Sequence, residues 1–390
     1  MRVVLAFDKY KGTFSAQDVC EFVAEGIRDR NPKIEIIQRP MADGGEGSAT
    51  ILSAVLGLEP MRVEVHDLLG KKIEANIYWQ NTRRLAIIES ADVLGVSRSL
   101  ISEDNFFHAN TVGLGQLLRR AFDLRPQEIW ICVGGTLTAD LGWGIADVFG
   151  LNIYDEQGHR LRPLIDNMDK IHDVEIHEQP DFIKKCKISV LCDVNAPARS
   201  PGVSLLSFLK QKGAKEQSFP KIERNITFFW SMLKSKCPTL PSLEDVYTGA
   251  GGGICIGLSA VFPNIKLELG SKKIARANAL VASFSEADLV VCGEGCLDEL
   301  TLYGKTVSTI SQIALQEHSR LIGVFGRIHG NESDFKNKLG LYEIYCVIPQ
   351  ENNLRTLNSH ESYSQTELSK LTKTRLHHIG SEIADKFGRK

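Results

Sequence analysis

The chain has 390 residues, 43% of them hydrophobic and 24% charged, with a formal net charge of −2. That length accommodates two domains or one large one and buries a core without disulfide staples. A charge so near zero excludes a protein built to grip nucleic acid through clustered Lys and Arg, and supplies no electrostatic pull toward an anionic membrane.

The first apolar run, Arg2 to Phe7, predicts a strand. It stops at Asp8 and Lys9, too short for a signal-peptide core. Ser15, with Asp18 three residues on, predicts a helix N-cap, and Val19, Phe22, Val23 and Ile27 follow at helical spacing until Pro32. Ile34 to Ile37 predicts a second strand, closed by Pro40, and a helix to about Leu56 follows the run Met41 to Gly47. This strand–helix alternation is the rhythm of a parallel sheet with crossover helices. Met61 to Val65 and Ile73 to Trp79 break it, as a hairpin-like pair around Asp67-Leu68-Leu69-Gly70-Lys71, and Leu85 to Ile88 adds a third strand. A helix over 111–122, a strand over 128–133 and a strand from Ile188 to Leu191 come next, and 199–247 reads as polar and mostly helical. The opening rhythm then returns. Ala287 to Val291 predicts a strand ending at Cys292-Gly293-Glu294-Gly295, followed by a helix over 304–317, strands Leu321 to Phe325 and Tyr342 to Ile348, and a closing helix over 365–386.

The expected class is therefore α/β. A Rossmann-like parallel-sheet domain is built from both chain ends, 1–68 and 278–390, with an inserted second α/β domain, 69–277, containing antiparallel strands. No apolar stretch approaches the roughly 20 residues of a membrane-spanning helix. The nine cysteines are odd in number and scattered, with no zinc-like spacing, and read as reduced, buried thiols of a cytoplasmic protein.

The 33 glycines cluster at predicted strand ends beside acids. The clusters are Asp8-Lys9-Tyr10-Lys11-Gly12, Asp43-Gly44-Gly45-Glu46-Gly47, Gly134-Gly135-Thr136-Leu137-Thr138-Ala139-Asp140, Gly249 to Gly253 and Gly293-Glu294-Gly295-Cys296-Leu297-Asp298, with Asp193 at a further strand end. Open α/β sheets bind ligands at the carboxyl ends of their strands. Glycines let backbone N–H groups approach an anion, and a helix starting after the loop adds its positive dipole end. Neighbouring carboxylates suit Mg²⁺ shared with substrate phosphates, and a lysine offsets transferred phosphoryl charge. Any one loop alone is more simply a turn or a cap; four or more in one chain point to a phosphate site. The nucleotide fingerprints do not match. Gly304-Lys305-Thr306 has Glu299, not Gly, five places before it. No Gly-x-Gly-x-x-Gly follows the first strand, which disfavours a nicotinamide-dependent oxidoreductase.

At these loops the sequence resembles the glycerate kinase family of the bacterial glycerate 2-kinase type, from about residue 2 to 385. The family's Pro-Met-Ala-Asp-Gly-Gly-Glu-Gly is intact as Pro40 to Gly47, and its Gly-Glu-Gly-Arg-Leu-Asp and Thr-Leu-x-Gly-Lys appear as Gly293 to Asp298 and Thr301 to Lys305. Asp-Ser-Phe-Lys-Gly-Ser appears as Asp8 to Thr13, Asp-Val-x-x-Pro at Asp193, Val194 and Pro197, Gln-Lys-Gly-Ala at Gln211 to Ala214, and Gly-Ala-Gly at Gly249 to Gly251. The departures are Lys9 for Ser, Ala139 for Asn, Leu141 for Gly, Cys296 for Arg, and Phe208-Leu209-Lys210 for Phe-Gly-Pro.

The resemblance implies a two-domain fold with a cleft and transfer of the ATP γ-phosphoryl group to D-glycerate, with Mg²⁺, giving 2-phosphoglycerate. On that reading Asp193 or Asp43 takes the proton of the attacking hydroxyl, while Lys11 and Lys305 stabilise the moving phosphoryl group. Glu294 and Asp298 hold the metal. Asp8, Gly44, Gly45, Glu46, Gly134, Gly135, Thr136, Asp140, Gly249, Gly251, Gly252, Gly293 and Gly295 line the substrate and nucleotide site. The expected partners are small molecules, without nucleic acid or membrane, and a homo-oligomer is compatible. Two alternatives stand beside this one. One is a kinase of the same fold acting on another small hydroxy acid, motivated by Ala139. The other is a non-catalytic ligand-binding homologue with a decayed site.

Overall fold

The computed structural model describes residues 1–95, 100–262, 264–348 and 364–388. In chain order its strands are β1 (Arg2–Phe7), β2 (Glu35–Gln38), β3 (Glu59–His66), β4 (Lys72–Gln80), β5 (Leu85–Glu89), β6 (Glu128–Val133), β7 (Leu151–Tyr154), β8 (Asp173–Ile176), β9 (Lys187–Cys192), β10 (Ile265–Leu269), β11 (Leu289–Leu297), β12 (Leu321–Ile328) and β13 (Glu343–Cys346). The chain divides into two compact units, Met1–Asp43 with Ser271–Lys390, and Gly44–Gly270.

The first unit holds one five-stranded sheet in the order β13-β12-β11-β1-β2, with every pair parallel. Val3 to Phe7 of β1 are fully buried, as a strand covered on both faces requires. The helix Ala16–Arg30 begins at the expected capping box: the Asp18 amide donates to Ser15 Oγ at 3.2 Å, and the Ser15 amide donates to the Asp18 carboxylate at 3.1 Å. Its Val19, Val23 and Ile27 share one core with Leu376, Ile379 and Ile383 of the closing helix Gln365–Phe387. Strand β11 runs further than the sequence reading. Pairing with β12 continues through Glu294↔Phe325, Cys296↔Arg327 and Leu297↔Ile328, so Gly293, Glu294 and Gly295 lie in the strand and not in a loop after it. The ladder continues because β12 itself runs past Gly326 to Ile328.

The second unit holds a six-stranded sheet in the order β10-β9-β6-β5-β4-β3 and a small β7–β8 pair. Strands β5, β6, β9 and β10 are parallel, while β3 and β4 form the expected antiparallel pair joined antiparallel to β5. The boundaries, 43/44 and 270/271, differ from the expected 68/69 and 277/278. The helix Ser48–Leu56 packs against β5, and β3 bonds to β4 along its whole length, which ties 44–68 to the second sheet. Within 199–247 the only α-helix among the described residues is Phe219–Lys236. Short 3₁₀ turns and loops fill the rest, where Pro201, Gly202, Gly213, Pro238 and Pro241 interrupt the pattern. The sequence reading did not register the helices Trp143–Val148, Ile254–Val261 and Gly270–Ala277. All nine thiols are free, but Cys237, Cys296 and Cys346 are only half-buried. Among the described residues no helix is long and apolar enough to cross a membrane.

Replacing Ser15 by Ala removes the side-chain half of the capping box. Equilibrium urea unfolding is expected to show a loss of about 1 kcal/mol with an unchanged m-value.

Candidate active site

In the first unit, chemistry-bearing side chains gather at the carboxyl ends of β1, β2 and β11. Asp8 follows β1 directly and is buried. Its Oδ1 accepts the Lys9 amide at 2.6 Å, and its Oδ2 accepts the Thr306 hydroxyl at the start of the helix Thr306–Gln316. Burial, reinforced by the charge of Asp43, pushes the Asp8 carboxyl up to about 7. Glu294 is buried in β11, where its Oε1 accepts the Thr301 hydroxyl at 2.7 Å. Burial raises it to about 8, against the opposing charge of Lys305. Asp298 ends the strand and caps the 3₁₀ turn Glu299–Leu302 by accepting the Thr301 amide at 3.2 Å. Lys305 is the N-cap residue of the helix Thr306–Gln316, with Nζ 4.0 Å from Asp298 Oδ1. Lys11 stands exposed on the turn after β1, and a Cβ placed on Gly295 would lie 3.2 Å from its backbone nitrogen. The structure thus brings Asp8, Asp43, Glu294, Asp298 and Lys305 into one electrostatic neighbourhood. Gly293 is spent inside the sheet, its carbonyl accepting the Asp8 amide at 2.9 Å.

The donor set here is oxygen only, which suits a hard divalent cation. A dication beside Asp8 and Glu294 would return both to carboxylates. Among the described residues no group of three or more His, Cys, Asp or Glu is set to hold a metal by itself.

In the second unit the ends of β5, β6 and β9 carry Glu89, Gly134 and Asp193 side by side. Gly134 fits where no other residue would: an added Cβ would stand 2.4 Å from the Asp193 carboxylate oxygen. Its N–H and C=O both bond to the Ser90 hydroxyl at 3.1 Å, so the loop is anchored directly under Asp193. Gly135 and Glu46 are neighbours on the same rim, with a Gly135 Cβ 3.6 Å from that of Glu46. Gly44 lies against the end of β9 at Leu191 and Cys192. Thr136 is held by Lys212, a buried lysine whose Nζ donates to the Thr136 carbonyl at 2.5 Å, the Thr136 hydroxyl at 3.2 Å and the Thr138 carbonyl at 3.0 Å. The glycine run 249–253 packs beneath this loop; a Cβ on Gly252 would fall 1.9 Å from the Thr138 carbonyl oxygen. Gly249 and Gly252 therefore serve close backbone approach, while Gly251, with a left-handed φ of 58°, lies against the Val133 and Ile254 side chains.

One predicted site residue, Asp140, and one predicted loop, Gly44 to Gly47, have internal tasks. Asp140 is buried with a carboxyl raised by desolvation, and it accepts the Thr111 amide and hydroxyl at 2.9 and 2.8 Å and the Gly142 and Gly144 amides at 3.2 and 3.1 Å. Its acceptor capacity is used in tying two helix starts together, not in facing a ligand. The loop Gly44 to Gly47 was expected to offer its amides to a phosphate. Buried Glu89, absent from the predicted set, takes the Gly47 amide at 2.8 Å and the Ala49 amide at 2.9 Å, and the Gly44 amide donates to Ser48 Oγ at 3.0 Å. A carboxylate from the chain itself thus occupies the start of the helix Ser48–Leu56. An acid closing the apolar run Leu85 to Ile88 was the available signal for Glu89, and Lys212 was legible only as part of Gln211 to Ala214.

Residues 3–375 match the model of the glycerate kinase family. Glycerate kinase of Neisseria meningitidis serogroup B is 31% identical over 305 residues, covering 78% of this chain and 80% of that protein. Glycerate 2-kinase of Escherichia coli is 27% identical, covering 84% and 86%. The crystal structure ascribed to glycerate kinase 2 of Salmonella typhimurium LT2 superposes with a TM-score of 0.76 at 26% identity, covering all of this chain and 98% of that one.

Asp8 and Glu294 keep protons in the folded chain that the unfolded chain releases between about pH 4 and about pH 8. Stability of the metal-free protein is therefore expected to fall as pH rises through this window, by up to about 1.4 kcal/mol per pH unit for each acid. Thermal unfolding across the window checks this, and Glu294→Gln is expected to flatten the profile.

Proposed function

Since the chain belongs to the glycerate kinase family and is a kinase, we propose that it transfers the γ-phosphoryl group of ATP to D-glycerate in the presence of Mg²⁺, giving 2-phosphoglycerate. The observation that carries the reading is the acidic group Asp8, Asp43, Glu294 and Asp298 beside Lys305, in a chain matched from residue 3 to 375. The bound metal supplies charge neutralisation on the transferred phosphoryl group. Glu294 and Asp298 are its proposed ligands, with Asp8 beside them. Lys305 and Lys11 stabilise the phosphoryl charge by their ammonium groups.

Asp193 is the proposed acceptor of the proton from the attacking hydroxyl, ahead of Asp43, because Gly134 leaves the space its carboxylate needs at a strand end. Lys212 acts through the loop 134–140: it is a positioning residue that fixes the Thr136 and Thr138 carbonyls. A second reading, another small hydroxy acid as acceptor, has its own observation. Ala139 is buried among apolar neighbours, and the adjacent Thr138 hydroxyl is buried without a hydrogen-bond partner among the described residues.

Purified protein with ATP, Mg²⁺ and D-glycerate is expected to yield 2-phosphoglycerate by phosphorus NMR; turnover with a different hydroxy acid alone selects the second reading. Asp193→Asn and Lys11→Ala should each lower kcat/KM by at least about tenfold, or about 1.4 kcal/mol, and smaller effects remove the assigned roles. Lys212→Met should raise KM for the acceptor and speed amide hydrogen exchange in 134–140, a local opening that a purely global loss of stability does not produce.

A further inference from the structure

The parallel strands of the second unit have a second functional-looking edge. Leu85, Glu128 and Lys187 are register partners at the amino ends of β5, β6 and β9. These strands are five or six residues long, so this edge lies roughly 17–20 Å from the edge carrying Glu89, Gly134 and Asp193. A cavity of about 540 Å³ opens there, and five cations line it: Arg83, Arg84, Arg125, Lys185 and Lys187. For a chain of net charge −2 that is a sharp local excess. None of the five forms an ion pair with the described residues, although exposed cations elsewhere, such as Lys184 and Arg160, do. The one acid on the wall, Glu128, accepts the Trp130 indole N–H at 2.6 Å.

The lining is ordered by its own contacts. The Arg125 guanidinium stacks 3.7 Å from the centre of the Phe182 ring, and the Arg84 guanidinium donates to the Arg125 carbonyl. Arg84 and Arg125 both hold left-handed backbone, φ 47° and 54°, a conformation that costs a non-glycine residue about 1 kcal/mol or more. The Gln127 amide fixes the first of these turns by donating to the Arg84 carbonyl at 2.8 Å. Buried Pro126 and Cys186 floor the cavity, so an anion bound there is partly removed from water. Planar guanidiniums with free N–H edges match phosphate oxygens in geometry as well as charge.

We propose that this cavity is a binding site for a small phosphate-bearing anion, separate from the kinase site. The class is set by charge and geometry: several cations without ion-pair partners among the described residues, around one concavity, favour a ligand with two or more negative charges on the oxygens of a tetrahedral phosphorus. The site does not depend on which acceptor the enzyme phosphorylates.

Lysine acetylation of the full-length protein, read by mass spectrometry with pyrophosphate as the probe, tests it. Saturating pyrophosphate is expected to slow acetylation of Lys185 and Lys187 by about threefold or more and to leave exposed Lys33 and Lys336 unchanged. Protection at Lys11 or Lys305 reports the kinase site separately. Arg125→Gln, and independently Arg83→Glu, whose side chain supports no turn, should each raise the half-protecting concentration by about tenfold. Absence of protection at Lys185 and Lys187, equal protection of all lysines, or unaltered half-protection in both variants overturns the proposal.

Discussion

The arrangement of the second unit depends on backbone approaching more closely than a side chain allows. Asp193 occupies the volume that a Cβ on Gly134 would need, and the Thr138 carbonyl occupies that of Gly252. A larger residue at Gly252 must move main chain, because the obstructing atom is the Thr138 carbonyl, and one at Gly134 must displace the Asp193 side chain, whose own Cβ lies 2.7 Å away. The loop after β6 is thereby held from both sides: Ser90 grips Gly134 from β5, and Lys212 grips Thr136 and Thr138. Preorganisation of this kind is what phosphoryl transfer asks of a protein, because the chemistry is mostly positioning and charge.

The acids divide into two classes by what already bonds to them. Asp140 and Glu89 each accept backbone amides at helix starts, and those bonds fix loops. Asp8 and Glu294 carry fewer bonds: Asp8 accepts the Lys9 amide and the Thr306 hydroxyl, and Glu294 accepts the Thr301 hydroxyl. A buried carboxylate saturated by amides has little left to offer a ligand. One with spare lone pairs gains from an arriving cation. The same residue type at similar strand ends therefore does opposite work, and only the partners distinguish them.

Much of the fold was legible because its signals are local. The Ser15 capping box, the alternation around Asp67 to Lys71 and the apolar runs of β1, β6 and β9 each carry their own pattern. What escaped was long-range. Nothing near Gly293 announces that β12 continues alongside β11 to Leu297, and nothing near Gly47 announces that Glu89, 42 positions away, takes its amide. Of the glycine loops, those at Asp8 and Gly134 do follow strands directly, whereas Gly293 to Gly295 lie within β11 and Gly249 to Gly253 follow no strand. Their expected role as phosphate cradles overlooked the simpler demand of packing one loop on another, as Gly252 does beneath Thr138.

The departures at 139 and 141 can be weighed in the same terms. Leu141 stands where the family pattern has Gly, and its backbone keeps the left-handed φ of 52°. The chain accepts about 1 kcal/mol of strain there. In return the side chain is fully buried beside Gly253, a gain of about 2 kcal/mol for a leucine. The substitution thus preserves the path of the loop while moving its support from conformational freedom to packing. Ala139 is different: it is buried in the apolar cluster and contributes no polar group. The loop's geometry is therefore retained through Leu141, Lys212 and Ser90, while its polar inventory shrinks at 139. Position 139 therefore bears on the polar contacts the loop can offer, while Ser90 and Lys212 hold the loop beside Asp193.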